Sequence, residues 1–386
     1  MLPLLCLLGA CSGGREEVRL DVSLSPAEVS CEAGSVFVRI ASEASWTLEI
    51  VPSVDWATLG TTSGSGSKNS IILSYSANKA SEARSLTVVA STAGGKVQSA
   101  ATLVQQGYVA PTPSGSQGGK AVSAAFKWME LPATSASDGR DFVWHMTEVG
   151  GKTLRNYSFY WNYTDRVAMW VAYPLCTVYL GGQERSEAWG YDPLLSAASQ
   201  QNVSGGYWVG NSGRYDRGHQ IPSADRTANY AMNATTFYGT NMTPQLNSLN
   251  GGIWAQLESK VRDWSKLSDT LYVVTGCVVD GAIHYVLDRS SVEITVPTSY
   301  FKAVLRYKKD STIGRGGYMG AAFWFDHEGV SWNGKNFSSA QSLSISELEQ
   351  KLGYQLFVNL PDRVGTSAAN EIKSEKPAAM NWWWSN

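Results

Sequence analysis

Between residues 18 and 107 the chain alternates apolar and polar positions, as in Val36-Phe-Val-Arg-Ile40, Ser70-Ile-Ile-Leu-Ser-Tyr75 and Leu86-Thr-Val-Val-Ala90, with Gly and Ser between the runs. A period of two sends successive side chains to opposite faces of a strand. Several such runs in so short a stretch predict an all-β sandwich. A different period appears later. Ile253, Leu257 and Val261 recur at i, i+4 and i+8, with Glu258 and Lys260 on other faces, which predicts a helix over 250–262. Pro244 and Asn247 suit the turn that enters it. On such a helix Asn250, Trp254 and Glu258 lie near one stripe, and Trp254 is read as helix packing, not as a base-stacking platform. Residues 171–180 and 271–279 are apolar, strand-like runs.

The pattern breaks in two further places. The first eleven residues, Met-Leu-Pro-Leu-Leu-Cys-Leu-Leu-Gly-Ala-Cys, are an apolar run too short to span a bilayer. Residues 108–120 are linker by composition, Pro-stiffened first and Gly-rich after. The expected organisation is a leader and tether over 1–17, a β-sandwich over 18–107, a linker over 108–120 and a second domain over 121–386. A length of 386 residues with 43% hydrophobic and 17% charged residues suits two folded domains plus a leader. The net charge of −2 leaves no global basic field. That argues against a tight, stoichiometric DNA-binding protein, whose affinity comes from many Lys and Arg contacts to phosphate. It leaves room for an enzyme with a locally basic cleft. No CxxC or Cys/His cluster points to zinc. Cys176 and Cys277, both in apolar runs, are either bridged or buried as free thiols. Three adjacent indoles, Trp382 to Trp384, cannot all be buried on one strand face.

The strongest chemical signal is Asp216-Arg-Gly-His219. An imidazole that deprotonates water, two residues from a guanidinium that pairs with phosphoryl oxygens, meets both obstacles to cutting an anionic phosphodiester. Thirty-one residues after His219 lies Asn250. Its amide oxygen suits a hard cation, and Glu258 suits a water of that cation's shell; magnesium favours a site with few protein ligands. His145, His284 and His327 lack a partner pattern, and His327, in Phe-Trp-Phe-Asp-His-Glu, is expected at the surface.

This constellation resembles the DNA/RNA non-specific endonucleases, the ββα-metal nucleases with a DRGH motif, over about residues 127–361. The resemblance implies a mixed α/β domain with a largely antiparallel central sheet, in which residues 216–220 and the 250–262 helix form a strand-loop-helix site. It implies His219 as general base, Asn250 as the one direct magnesium ligand and Glu258 as the carboxylate that orients metal-bound water. Arg217, and through the looser match of Glu184-Arg-Ser-Glu-Ala-Trp, Arg185, become the phosphate-binding arginines. Asp216, Asn241 and Gln245 become supporting residues, the last two through hydrogen bonds. The implied activity is magnesium-dependent cleavage of DNA and RNA, with manganese as a substitute ion and 5′-phosphate products. Two rivals remain: a glycan-binding surface lipoprotein with an inactive nuclease fold, and a phosphodiesterase of narrower range.

Upstream, Leu8-Gly-Ala-Cys11 resembles a bacterial lipobox with Cys11 as the lipidated residue, although the run lacks a basic n-region and the true start stays open. That implies an exported protein held by a lipid anchor at the outer membrane or cell surface, or otherwise periplasmic or secreted. Ala44-Ser-Trp46, Val54-Asp-Trp56, Asn78, Arg84 and Val104-Gln-Gln106 resemble the BACON domain, an immunoglobulin-like sandwich of surface proteins. The resemblance implies at most a weak glycan contact, with Trp46 and Trp56 packed in the core, and leaves the role of a spacer open.

Overall fold

In a computed structural model, residues 19–31, 33–80, 82–107, 126–135, 138–309 and 315–385 are described. Cys11, the 1–17 leader and the 108–120 linker lie outside them. The chain divides into two compact units, residues 1–109 and 110–386. No helix among the described residues is long and apolar enough to cross a membrane.

The N-terminal unit is built of strands. One sheet orders Leu20–Ser25, Gly34–Ser42, Lys68–Tyr75 and Ala57–Leu59; the other orders Glu28–Val29, Gln98–Gln105, Arg84–Thr92, Ser45–Val51 and Ser63–Ser65. The predicted alternation is realised. Val36, Val38 and Ile40 face one core with Leu73, Leu86 and Val88, while Phe37 and Arg39 point outward. Trp46 is buried and donates its Nε1–H to the Gly66 carbonyl at 2.8 Å. Trp56 is half-buried beneath Arg84.

In the larger unit β1 (Asp141–Val149), β2 (Lys152–Asn162), β3 (Val167–Leu175), β4 (Tyr215–His219), β5 (Met242–Leu246), β6 (Thr270–Val278), β7 (Ser299–Tyr307), β8 (Tyr318–Asp326) and β9 (Ser342–Leu343) are the principal strands. Seven of them form the central sheet in the order β1-β2-β3-β6-β7-β8-β9, every neighbouring pair antiparallel. β3 is buried at all nine positions, so both faces of the sheet are covered there. Helix α1 (Ala255–Lys266) packs Leu257, Val261 and Trp264 inward. Trp264 stacks on Phe323 with ring centroids 5.8 Å apart, and Trp254, just before the helix, meets Tyr300 and Phe325 edge-on. The segment therefore lies across β7 and β8, and Trp254 packs as expected.

The helix starts later than its period suggests. Residues Leu249–Trp254 form a wide π-type turn in which Gly252 adopts φ −105°, ψ −116°, outside the helical region. The regular helix begins at Ala255. Asn250 and Glu258 are thus not on one straight stripe. The chain's end also resolves the three indoles. Asn381–Ser385 is helical, and steps of about 100° per residue send them in different directions: Trp383 is buried against Trp264, Trp382 lies under Arg306, and Trp384 packs on Phe337. Cys176 and Cys277 are free thiols.

Candidate active site

β4 carries the Asp-Arg-Gly-His tetrad and pairs antiparallel with β5, Asp216 opposite Gln245 and Gly218 opposite Thr243. Glycine is required at 218 because Gln245 packs directly onto it; a Cβ there would lie 2.3 Å from Gln245 Oε1. Beyond His219 the chain is clasped by Asn241. Its Oδ1 accepts from the Ile221 N–H at 2.9 Å, and its Nδ2 donates to the Ile221 and Thr236 carbonyls. Gln245 departs from the expectation of hydrogen-bonded support. Both of its amide atoms are buried without a partner among the described residues, and its contribution is the packing against Gly218.

A cleft of about 440 Å³ opens beside β4, lined by Arg185, Glu187, Trp189, Asp216, Arg217 and Asn250 among others. The Arg217 guanidinium stacks 3.5 Å from the Trp189 ring centre and donates Nη1–H to the Val203 carbonyl at 2.8 Å. Arg185 donates its Nε–H to Glu187, lies 3.2 Å from Ser223 Oγ through Nη1, and sits over Phe237. The other Glu187 oxygen accepts from Trp189 Nε1–H at 2.7 Å. Partial burial pushes the Glu187 carboxyl up, but the hydrogen bonds from Arg185 and Trp189 outweigh it and hold the group below the usual range. Asn250 donates Nδ2–H to Asp216 Oδ2 at 3.0 Å. Asp216 thereby decides which end of the amide is bound and leaves Oδ1 as the remaining acceptor.

His219 stands edge-on between Trp189 and Phe237, with ring centroids 5.6 and 5.0 Å away. Its Nε2 is buried and has no hydrogen-bond partner among the described residues. Burial lowers its pKa to about 3, the Arg185 and Arg217 charges push the same way, and only the Arg217 backbone opposes them. The ring is neutral at pH 7, with a nitrogen available to accept a proton.

Glu258 does not line this cleft. It belongs to a cluster with Asp225, Arg262 and Lys302. Arg262 Nη1 lies 3.1 Å from Asp225 Oδ1, and Tyr173 donates to Asp225 Oδ2 at 2.8 Å. Lys302 is fully buried, 4.6 Å over the Trp254 ring, and its Nζ has no hydrogen-bond partner among the described residues. Burial raises the Glu258 carboxyl and lowers the Lys302 ammonium, and each charge opposes the shift of the other.

Glu187, Trp189, Asp225 and Lys302 escaped the sequence reading. A signal existed for Lys302, which sits between Phe301 and the apolar run Ala303-Val-Leu305, since lysine is almost never fully buried without a counter-charge. His327 is corrected. It is fully buried, not at the surface: its Nδ1 bonds the Pro297 carbonyl at 2.7 Å and its Nε2 accepts from the Leu246 N–H at 2.7 Å. It anchors the end of β5. His145 also has a buried partner, Asp192, 2.8 Å away.

Comparison with known proteins agrees with this geometry. The family model described as DNA/RNA non-specific endonuclease matches residues 143–363, more than half of the chain. A nuclease of Nostoc sp. is 31% identical over 229 residues, covering 56% of this chain and 76% of the relative. A nuclease of Serratia marcescens is 28% identical over 208 residues, covering 53% and 74%. The chain belongs to the DNA/RNA non-specific endonuclease family and is, with its relatives, a hydrolytic endonuclease.

Proposed function

We propose that the larger unit cuts the backbones of both DNA and RNA without reading base sequence, works with magnesium or manganese, and leaves 5′-phosphate ends. One observation carries this: two guanidiniums and an amide oxygen oriented by Asp216 meet in one cleft, and behind its lining His219, packed edge-on against the cleft residue Trp189, keeps a buried nitrogen unpartnered among the described residues. The donor set fits a hydrated hard cation. Asn250 offers a single oxygen, and no group of three His, Cys, Asp or Glu side chains converges among the described residues as an all-protein cage would need. Asn250 would hold the ion and Glu258 would act through a water of its shell. A bound ion supplies charge neutralisation at the leaving oxygen.

The chain's own residues do the rest. Arg185 and Arg217 bind and orient the phosphoryl oxygens. His219 takes the proton of the attacking water at Nε2, and an arriving phosphate offsets the two guanidiniums that depress its basicity. These groups address backbone and not base edges, which supports low sequence preference.

The test is magnesium-dependent breakdown of supercoiled DNA and of RNA, with chelator controls. His219→Ala should lower turnover by roughly 10²–10⁴ with DNA binding kept, and Asn250→Ala should raise the magnesium requirement. A folded wild-type chain that leaves both polymers intact in magnesium sinks this reading.

The domain limits given above, with the front module a BACON-type spacer over 18–107 carried on lipid at Cys11, complete the proposal. They imply an exported, surface-held enzyme and at most weak glycan contact. The lipobox resemblance supports the anchor, and the strand-rich unit supports the module. Radiolabelled palmitate that fails to label the protein in cells, or labels Cys11→Ala equally, would remove the anchor.

A further inference from the structure

A second depression, of about 350 Å³, adjoins the cleft and shares Asn211 and Tyr215 with it. Its far wall is Ile283, His284 and Tyr285. Ile283 and Tyr285 are 83% and 53% exposed, and Trp208 and Val209 beside them are 50% and 45% exposed. These four make up half of the exposed large hydrophobic residues described in this unit, so they form a patch and are not scattered.

The patch is rigidly mounted. Trp208 N–H donates to the Leu287 carbonyl at 3.0 Å, and Leu287 N–H returns a bond to the Val209 carbonyl at 2.9 Å. Gly210, at φ +77°, lets the Tyr285 carbonyl approach so closely that a Cβ would lie 2.7 Å from it. The Ile283–Tyr285 wall itself carries little net charge: His284, with Arg214, faces Glu328 at 3.7 and 3.6 Å, and Arg289 lies over the Trp208 ring, 5.8 Å from its centre. A phosphate gains little from such a wall. A nucleobase gains more, because an exposed ring offers a π-face to any base, whatever its sequence. Only unpaired bases present that face; a duplex keeps its bases stacked inside.

We propose that the Ile283–Tyr285 wall is a stacking subsite for the bases of single-stranded nucleic acid flanking the bond held at Arg185 and Arg217. The inference rests on the nuclease reading of the adjoining cleft and names the form of polymer that the cleft prefers.

The experiment uses the full chain and Tyr285→Ala, with Tyr285→Phe as the conservative control. Substrates are a dinucleotide, a single-stranded oligonucleotide of about ten nucleotides and its duplex. In Tyr285→Ala the oligonucleotide KM should rise roughly fivefold to a hundredfold, with kcat kept and Tyr285→Phe close to wild type. Dinucleotide and duplex kinetics should not move. Oligonucleotide binding measured by anisotropy in chelator reads the subsite without turnover, and its Kd should rise by the same factor. Equal losses on dinucleotide and oligonucleotide, or unchanged KM and Kd on the oligonucleotide, overturn the subsite. Tyr285-dependent binding without any cleavage by wild type would instead sink the nuclease reading of the cleft and leave the subsite standing.

Discussion

Arg84 in the front unit and Arg217 in the larger unit both stack on an indole, and the two contacts have opposite consequences. Arg84 lies 4.1 Å over Trp56, donates Nε–H to Gln105 at 2.9 Å and Nη2–H to the Ser76 carbonyl at 2.7 Å. Gln105 is itself buried and donates to the Ser76 and Cys31 carbonyls, while Asn78 donates to the Glu82 and Gln106 carbonyls nearby. These are the residues that carried the resemblance to a surface module, and they form an internal polar lock. Arg217 lies 3.5 Å over Trp189, donates one side-chain hydrogen bond among the described residues, to the Val203 carbonyl, and faces the cleft. Stacking leaves the in-plane N–H groups of a guanidinium free in both cases. Where the fold supplies acceptors for them the residue is a strut; where it leaves donors over in an open cleft the residue is set for an anion.

The largest expected effect tests that contrast directly. Arg217→Ala should lower kcat/KM by roughly 10²–10³ with an unchanged melting temperature of the larger unit. Arg84→Ala should leave cleavage of short DNA untouched and destabilise the front unit by about 1–3 kcal/mol, since Gln105 loses a buried partner. Loss of activity in both variants would erase the distinction.

A smaller effect is expected at Lys302. Replacing it with Met removes the positive charge that favours ionised Glu258, so the Glu258 carboxyl should rise further. Turnover at neutral pH should fall roughly tenfold, about one pKa unit's worth, and recover as the pH is raised. A loss of the same size at every pH would make Lys302 a packing residue only.

His327 offers a stability test. Burial lowers its pKa to about 4, whereas an unfolded imidazole titrates near 6.5. Between those values the unfolded chain holds more protons, so stability present above pH 6.5 is lost as pH falls toward 4. His327→Gln keeps an acceptor for Leu246 N–H and should flatten that decline by on the order of 1–3 kcal/mol. Urea midpoints across this range decide it, and identical slopes would place the acid sensitivity elsewhere.

The smallest effect belongs to Glu187. Its carboxylate occupies Arg185 and adds negative charge where a polyanion must bind. The pair is about half exposed, and such pairs are worth about 0.2–1 kcal/mol. Glu187→Gln should therefore lower KM for DNA by at most about fivefold, and a raised KM would show that the carboxylate positions Arg185 usefully.

Much of this protein was legible in its sequence for a local reason. The alternation at Val36, Val38 and Ile40 is a covalent property of an extended chain, so the faces of that strand followed without knowledge of its neighbours. The Asp-Arg-Gly-His run was legible because its chemistry is contiguous, whereas Asn250, thirty-one residues on, stands out through the family resemblance. The helix was legible, but its first turn was not: the apolar period from Ile253 to Val261 hid the break at Gly252.

What only the tertiary structure decided are encounters between distant segments. A residue's type states which bonds it is able to make, and closure of the fold states which it does make. Asp216 meeting Asn250 chose the free end of an amide. Gln245 settled on Gly218 and kept its amide unbonded. Three consecutive indoles found three different surroundings because one short helix turned them apart. His327 was drawn inside by acceptor and donor groups that stand far from it along the chain. The residue types and their local period belong to the sequence; which donors and acceptors remain unpaired, and so which face the cleft, depends on packing over the whole unit.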